Sequence, residues 1–353
     1  MGIVFAIIIF SFLIFIHELG HFLSAKASGV QVNEFSMFMG PALVKWQRGE
    51  TLYAIRCIPL GGFCAMEGED KDSDNPRSFQ KAAWWKRLII LLAGVAMNFI
   101  AGFLIFAMVF SFSKGFVQPV ITEAEPGNMI VYDEGLHLGD RILEIDGNRV
   151  YISSDVNLLL QLYPGDTHDL LVKRNGENIF LDDFLMKTDK FENSDGSVTV
   201  RYGIRFGYQE RTLSSLLTHT WNNCRSVVQS VRLSLQMLIT GQLGINDMSG
   251  PVGIVHIMNN TAKASPSTWD AILNLLYFGA FISVNLGVMN LLPIPALDGG
   301  RAVALLLTVA IEAITHKKID PKYESFIHAV GIILLLGLMV VLLFKDFFMI
   351  FQR

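Results

Sequence analysis

"IIIFSFLIFIHELGHFLSAK", residues 7–26, sets two histidines and a glutamate inside a run of aliphatic and phenylalanine side chains. A bare charge or an unmatched donor in hydrocarbon costs several kcal/mol, so His17, Glu18 and His21 each need a partner or a task. The apolar run is long enough for a helix crossing a bilayer core of roughly 30 Å, which takes about 20 residues. No basic segment precedes it, and polar residues stand where a signal-peptide cleavage site would lie, so it reads as a retained helix.

The rest of the chain is of the same character. Its 353 residues are 52% hydrophobic and 17% charged, with a mean hydropathy of +0.43, more apolar than a soluble domain requires. Three further runs, about 88–112, 269–292 and 326–344, can also span, which predicts a multi-pass α-helical membrane protein of about four transmembrane helices. The net charge of −4 comes without any basic stripe, so a nucleic-acid partner is not expected and membrane lipid is. Cys57, Cys64 and Cys224 fit neither a disulfide framework nor a CxxC ligand pair and read as reduced thiols.

Nine Lys and Arg residues fall between Lys26 and Arg87, and Arg301, Lys317, Lys318 and Lys322 follow the third run. By the positive-inside rule both loops face the cytoplasm, and the segment from Ser113 to about Pro266 lies outside. That segment opens as a β-rich domain. "DRILEIDGNRV" and "HDLLVKRNGENIFLDDF" alternate apolar and polar residues, with Asp146-Gly147 and Asn175-Gly176 as turns. Ser153 and Ser154 are expected to cap the helix that follows them. Residues 213–263 are amphipathic through Arg225, Gln229, Arg232 and Gln236, which predicts a helix lying in the interface against the bundle. The chain then divides into a membrane core at 1–115, a β-rich α+β domain at 116–207, an interfacial segment at 208–268 and a second membrane core at 269–353.

His17 and His21, four residues apart, project from one helix face and can share an ion, while Glu18 can reach a water on it. This is the H-E-x-x-H arrangement of two zinc ligands and a general base. Hydrogen bonding between helices is the bland alternative, and burial of ionisable groups in an apolar span favours the metal. A third ligand should arrive on another helix at the same depth. Asp298, in "NLLPIPALDGG" at 290–300, does so if 213–263 does not cross the membrane. A mere Asp-Gly-Gly turn is the alternative there, and the matching depth argues against it.

Together "HELGH", "GVAMN" at 94–98, "MSGPVGI" at 248–254 and "NLLPIPALDGG" resemble the site-2 protease family of intramembrane zinc metalloproteases. Within it they resemble the bacterial regulator of sigma-E protease group in a single-PDZ form, over essentially the whole chain. The resemblance implies cleavage of transmembrane helices within the membrane. It implies Zn2+ held by His17, His21 and Asp298, Glu18 as catalytic base and Asn290 as a substrate-positioning residue. It implies an inserted extracytoplasmic PDZ domain and a place in the bacterial cytoplasmic membrane, with the active site near the cytoplasmic side. No Gly-Leu-Gly-Phe loop is present, so the domain reads as a size filter. The partners implied are single-span substrates such as anti-sigma factors, an upstream site-1-type protease that cuts them first, and remnant signal peptides.

A helical substrate must unwind before its carbonyls can be reached, which exposes backbone groups that hydrocarbon cannot satisfy. Residues 32–47 and 51–68 are strand-like and meet near Arg48-Gly49, predicting a β-hairpin. Strand signals alone fit a peripheral cytoplasmic hairpin equally well. The resemblance, which implies a membrane-associated β-loop, favours a hairpin dipping into the membrane whose edge accepts the substrate as an added strand. Ile55, Gly61 and Gly62 are assigned to that role, and Pro293 and Asn98 are likewise assigned to substrate binding. Asn98 has the alternative of a helix–helix hydrogen bond, and Asn290 can act as an oxyanion-type donor. Two other classes compete: a non-catalytic adaptor and a zinc transporter. The intact set of His17, Glu18, His21 and Asp298 argues against the first, and its clustering near one face against the second.

Overall fold

The computed structural model describes residues 2–69, 73–124, 135–163, 165–186, 188–192, 198–244, 247–248, 250–316 and 322–351. In chain order the elements are α1 (Gly2–Ser28), β1 (Val32–Arg48), β2 (Thr51–Met66), α2 (Trp84–Phe110), β3 (Gly115–Ala124), β4 (Arg141–Ile145), β5 (Asn148–Arg149) and α3 (Ser153–Leu162). There follow β6 (Thr167–Arg174), β7 (Glu177–Leu185), β8 (Asp189–Glu192), β9 (Val198–Arg201), β10 (Ile204–Glu210) and α4 (Leu213–Ile239). The chain closes with α5 (Pro251–Ala264), α6 (Thr268–Asn290), α7 (Asp298–Thr315) and α8 (Lys322–Phe351). Among the described residues, four helices are long and apolar enough to cross a membrane, at Val4–Ser28, Trp84–Phe110, Thr268–Asn290 and Phe326–Phe347. The backbone divides into two compact units, one of Met1–Phe106 with Ser230–Arg353, the other of Ala107–Gln229.

In the first unit, α1 approaches α2 closely at Gly20, where a Cβ would lie 2.4 Å from the carbonyl oxygen of Ala93. Only a small residue allows two apolar helices to come so near. On another side of α1, Ala6, Ile9 and Leu13 pack with Met258 of α5 and with Leu275 and Ile282 of α6. The expected interfacial segment at 213–263 is therefore two helices, and the second of them belongs to the bundle core. The "MSGPVGI" segment starts it. Gly250 is its N-cap, and the buried carboxylate of Asp346 on α8 accepts from the N–H groups of Gly250 at 3.3 Å and Gly253 at 2.8 Å. Lys345 donates to the carbonyl of Met248. An acid at a helix N-terminus satisfies orphan donors and complements the dipole.

β1 and β2 form the predicted hairpin, with Gly49 in the turn, and both strands bend. Positive φ angles at Phe38, Gly40 and Gly61 mark the bends. Residues 32–37 consequently pair on one side with 62–66 and on the other with 52–55, and 44–48 pair with the outer side of 51–55. The result is a sheet of four short segments. Its 62–66 segment has no second strand partner among the described residues. Phe35, Cys64 and Met66 pack on Ala25 of α1, Ile90 and Leu91 of α2 and Ala302 and Leu305 of α7. Leu43, Val44 and Trp46 stay exposed.

The second unit holds a sheet of order β10-β3-β4-β6-β7 with β5 paired to β4. Ile121, Leu136, Ile142, Ile145, Leu159 and Leu170 are fully buried in it, each contributing about 1.5–3 kcal/mol relative to exposure. Asp146-Gly147 and Asn175-Gly176 make the predicted turns, each with two positive φ angles, as tight hairpins of this hand require. The cap of α3 differs from expectation. Ser153 is its first residue, and the carboxylate of Asp155 reaches back to the N–H groups of Tyr151 and Ile152 at 2.8 and 3.0 Å. Burial raises the Asp155 pKa above the usual carboxylate range. The polar residues of 213–229 turn to this sheet unit: Ser226 donates to Asp155 at 2.5 Å, Gln229 to the Arg149 carbonyl at 2.7 Å, and Arg225 covers the Tyr151 ring. Their amphipathic pattern thus reflects packing on protein, where the sequence pattern points to a membrane surface.

Candidate metal centre

α1 delivers His17 and His21 on successive turns of one face, and α7 delivers Asp298 in its first turn. The Nε2 atoms of the two histidines are 3.2 Å apart, and Oδ2 of Asp298 lies 3.1 Å from His17 Nε2 and 3.4 Å from His21 Nε2. A tetrahedral ion with N and O ligands at about 2.0–2.1 Å spaces those ligands about 3.3–3.4 Å apart. The three donor atoms therefore already stand at the separations that zinc requires. Among the described residues, buried Oδ2 of Asp298 has the two imidazole Nε2 atoms as its polar neighbours, as a ligand atom turned to a shared cation would. The residues present fit the group.

The histidines are oriented from behind. His21 Nδ1 donates to the carbonyl of Ile90 on α2 at 2.8 Å, leaving the Nε2 lone pair for an ion. His17 Nδ1 lies 3.3 Å from the buried side-chain amide of Asn98, whose Oδ1 lacks a partner. The two ends of an amide are assigned from their hydrogen bonds, and an imidazole that ligates through Nε2 carries its proton on Nδ1. With the amide oxygen toward Nδ1, it accepts the proton of the His17 ring. Gly94, one turn before Asn98 on the same face of α2, supplies the space: a Cβ there would sit 2.4 Å from His21 Nε2 and 2.7 Å from His17 Cε1. The sequence offers a signal for this role, since Gly94 and Asn98 share a face at a spacing of four.

Glu18 follows His17 and lies beside the 62–66 edge of the sheet, where a Cβ on Gly62 would be 3.5 Å from Glu18 Cγ. Gly61 and Gly62 thus fall at the free edge near the glutamate, whereas Ile55 lies on an inner segment, paired to Met37 on one side and Val44 on the other. Asn290 ends α6, and Pro293 is exposed in the short connection to α7. Asp298 opens α7, an 18-residue helix whose apolar run begins at Ala302. Glu69 and Arg301 belong to no motif in the sequence; they pair at 2.5 Å between the end of the sheet and α7.

Two imidazoles and a carboxylate converging beside a glutamate, on helices of an apolar bundle, define the class as a metallopeptidase of the H-E-x-x-H kind. Comparison with known proteins places it further. The profile of Peptidase family M50 matches residues 5–338. The chain is similar to a Clostridium perfringens protein that carries a zinc metalloprotease name, at 38% identity over 98% of each chain. It is 29% identical to zinc metalloprotease RasP of Bacillus licheniformis, over 96% of this chain and 97% of the relative. It is 28% identical to the regulator of sigma-W protease RasP of Bacillus subtilis, over 96% of each. The chain belongs to peptidase family M50, the site-2 proteases, and is a zinc metalloprotease of that type.

Proposed function

We propose that this protein cleaves the membrane-spanning segments of single-span proteins, using zinc held by His17, His21 and Asp298. The observation that carries the reading is the convergence of three donor atoms within 3.1–3.4 Å beside Glu18, on a helix apolar enough to span a bilayer. When bound, zinc supplies a Lewis acid that polarises a carbonyl and makes water a nucleophile near neutral pH. Glu18 accepts the proton of the attacking water and returns it to the leaving amine. Asn98 holds the His17 ring in place, and Asn290 with Pro293, where the chain leaves α6, steadies the substrate backbone.

The free 62–66 edge beside Glu18 takes the unwound substrate as an added strand, with Gly61 and Gly62 permitting close approach and Ile55 supporting the sheet from within. The exposed Leu43, Val44 and Trp46 suit a sheet that dips into lipid. Charge asymmetry orients the site toward the cytoplasmic side of a bacterial membrane and the β-rich unit to the outside. That unit acts as a PDZ-type size filter, admitting substrates whose ectodomains an upstream site-1-type protease has removed. The sigma-W name of one relative favours anti-sigma-factor-like substrates, and remnant signal peptides share the same single-span chemistry.

The test is cleavage of a single-span reporter, with and without its ectodomain, by wild-type and Glu18→Gln protein, with zinc quantified in both. The expected result is one zinc in each protein, cleavage by wild type alone, and preference for the trimmed reporter. Failure of zinc-loaded wild type to cut either reporter would transfer the reading to a membrane adaptor.

A further inference from the structure

The ion pair between Glu69 and Arg301 spans two parts of the site that are far apart in sequence. Glu69 follows β2 directly, and its Oε2 accepts from the backbone N–H of Met66, the last residue of the free edge segment, at 3.3 Å. Its Oε1 accepts from Nη1 of Arg301 at 2.5 Å. Arg301 lies one turn beyond Asp298 on α7, and both side chains of the pair are mostly buried, 13% and 17% exposed. At the other end of the same edge, Gly62 lies against Glu18.

We infer that Glu69 and Arg301 are positioning residues: a single ion pair sets the sheet edge beside Glu18 and the approach of Asp298 to the two imidazoles. Joining the sheet to α7 does not require the pair, because Met66 already packs in one apolar cluster with Ala302 and Leu305. Apolar contacts of that kind resist separation and tolerate sliding or rotation. A mostly buried, charge-assisted hydrogen bond from Arg301 Nη1 to Glu69 Oε1 fixes direction as well as distance. Ion pairs at Glu34 and Glu50 of the hairpin hold other places. Arg56 pairs with Glu34 inside the sheet, and Glu50 ties the hairpin turn to Lys26 and Arg77. With Glu69 bound to Arg301, rotation of the first turn of α7 and displacement of the edge segment become one motion. The strand that receives substrate and the carboxylate that completes the metal site are thereby kept in register.

This inference rests on the protease reading, and its test separates the two. Full-length wild type, Glu69→Gln, Arg301→Gln and the charge-swapped Glu69→Arg/Arg301→Glu protein are compared by single-span reporter cleavage, rate of zinc extraction by a chelator, and visible spectrum after cobalt substitution. Each single substitution is expected to lower kcat/KM by about 10- to 100-fold, the range for outer-shell partners of metal ligands. Each should also speed zinc extraction and alter the cobalt spectrum, with the swapped protein recovering most of all three. Should a single variant fail to fold, Arg301→Lys takes its place, keeping the charge without the fork. Wild-type kinetics, extraction rate and spectrum in the single variants, with only a lower unfolding temperature, would reduce the pair to a staple and overturn the inference. Uncut reporter with zinc-loaded wild type defeats the protease reading, and the extraction and cobalt measurements still decide the pair.

Discussion

Gly94 of α2 faces His21 of α1 so closely that a Cβ on it would sit 2.4 Å from the histidine Nε2, the atom that faces His17 and Asp298. The bundle is closed around this point, since His21 Nδ1 is bonded to Ile90 a turn earlier on the same helix. A methyl group at residue 94 must displace an imidazole or part the two helices.

Gly94→Ala should therefore abolish most zinc binding while leaving helicity intact. In a helix interior alanine is favoured over glycine by about 0.8–1.0 kcal/mol, so a loss of metal would not come from helix propensity. Metal content after dialysis, set beside circular dichroism, checks this. Wild-type zinc stoichiometry in Gly94→Ala would refute the steric account.

Glu18→Gln separates binding from chemistry. The amide keeps the size of the side chain but cannot take a proton, and general-base catalysis is worth about 10²–10⁴-fold. Cleavage should fall by at least that factor with zinc unchanged. Retention of more than a tenth of wild-type kcat would assign the base elsewhere.

Much of this arrangement is legible in residue type and spacing alone. Apolar runs of spanning length stand out because a bilayer demands them, and His17, Glu18 and His21 stand out because such runs exclude ionisable groups. Asp-Gly and Asn-Gly disclose their turns because few other residue pairs adopt two left-handed conformations in succession. The folding of β1 and β2 into four segments is not legible, because positive φ at Phe38 carries no signal in residue type. The α3 cap is misread at Ser153 because the helix starts one residue earlier than a Ser153 cap requires, with Asp155 reaching back to the N–H groups of Tyr151 and Ile152. The amphipathic 213–229 stretch could equally face lipid or protein, and only its partners Asp155 and Arg149 decide which.

Asn98→Ala should weaken zinc retention by about 10- to 100-fold, as loss of an outer-shell partner of a ligating histidine does. Asn98 also accepts from Ser283 through its backbone carbonyl at 2.7 Å, a contact that the substitution preserves. Packing of α2 on α6 should thus survive, and chelator competition reads the affinity directly. Unchanged affinity would assign Asn98 to helix packing alone.

His219 predicts a pH dependence in the second unit. Its ring stacks on Phe116 at 4.3 Å and meets Phe110 edge-on at 4.7 Å, and burial lowers its pKa from 6.5 to about 4. The unfolded chain then takes up the proton first as pH falls, so this group's effect on stability is flat above about pH 6.5 and unfavourable as pH drops toward 4. His219→Phe should flatten that part of the unfolding-temperature profile relative to wild type. Parallel profiles across the window would remove His219 as the source.

Asp346 lies within an apolar helix and outside the metal-binding group, and its two acceptor contacts explain why a carboxylate is tolerated there. The N–H groups of Gly250 and Gly253 open α5 and have no intrahelical partners, and both point to this one side chain. Asp346→Leu should suit the apolar span better on composition, yet it leaves the buried Gly250 N–H unpaired at about 1–3 kcal/mol, and the half-buried Gly253 N–H at less. Asp346→Asn retains one acceptor oxygen and should fall between Leu and wild type. Hydrogen exchange of the Gly250 and Gly253 amides, read with the unfolding temperature in detergent, distinguishes this from a general loss of stability: the two amides should lose protection first. If Asp346→Leu is as stable as wild type and both amides stay protected, the carboxylate is not what holds the start of α5, and the "MSGPVGI" segment must be anchored by its packing on α8 instead.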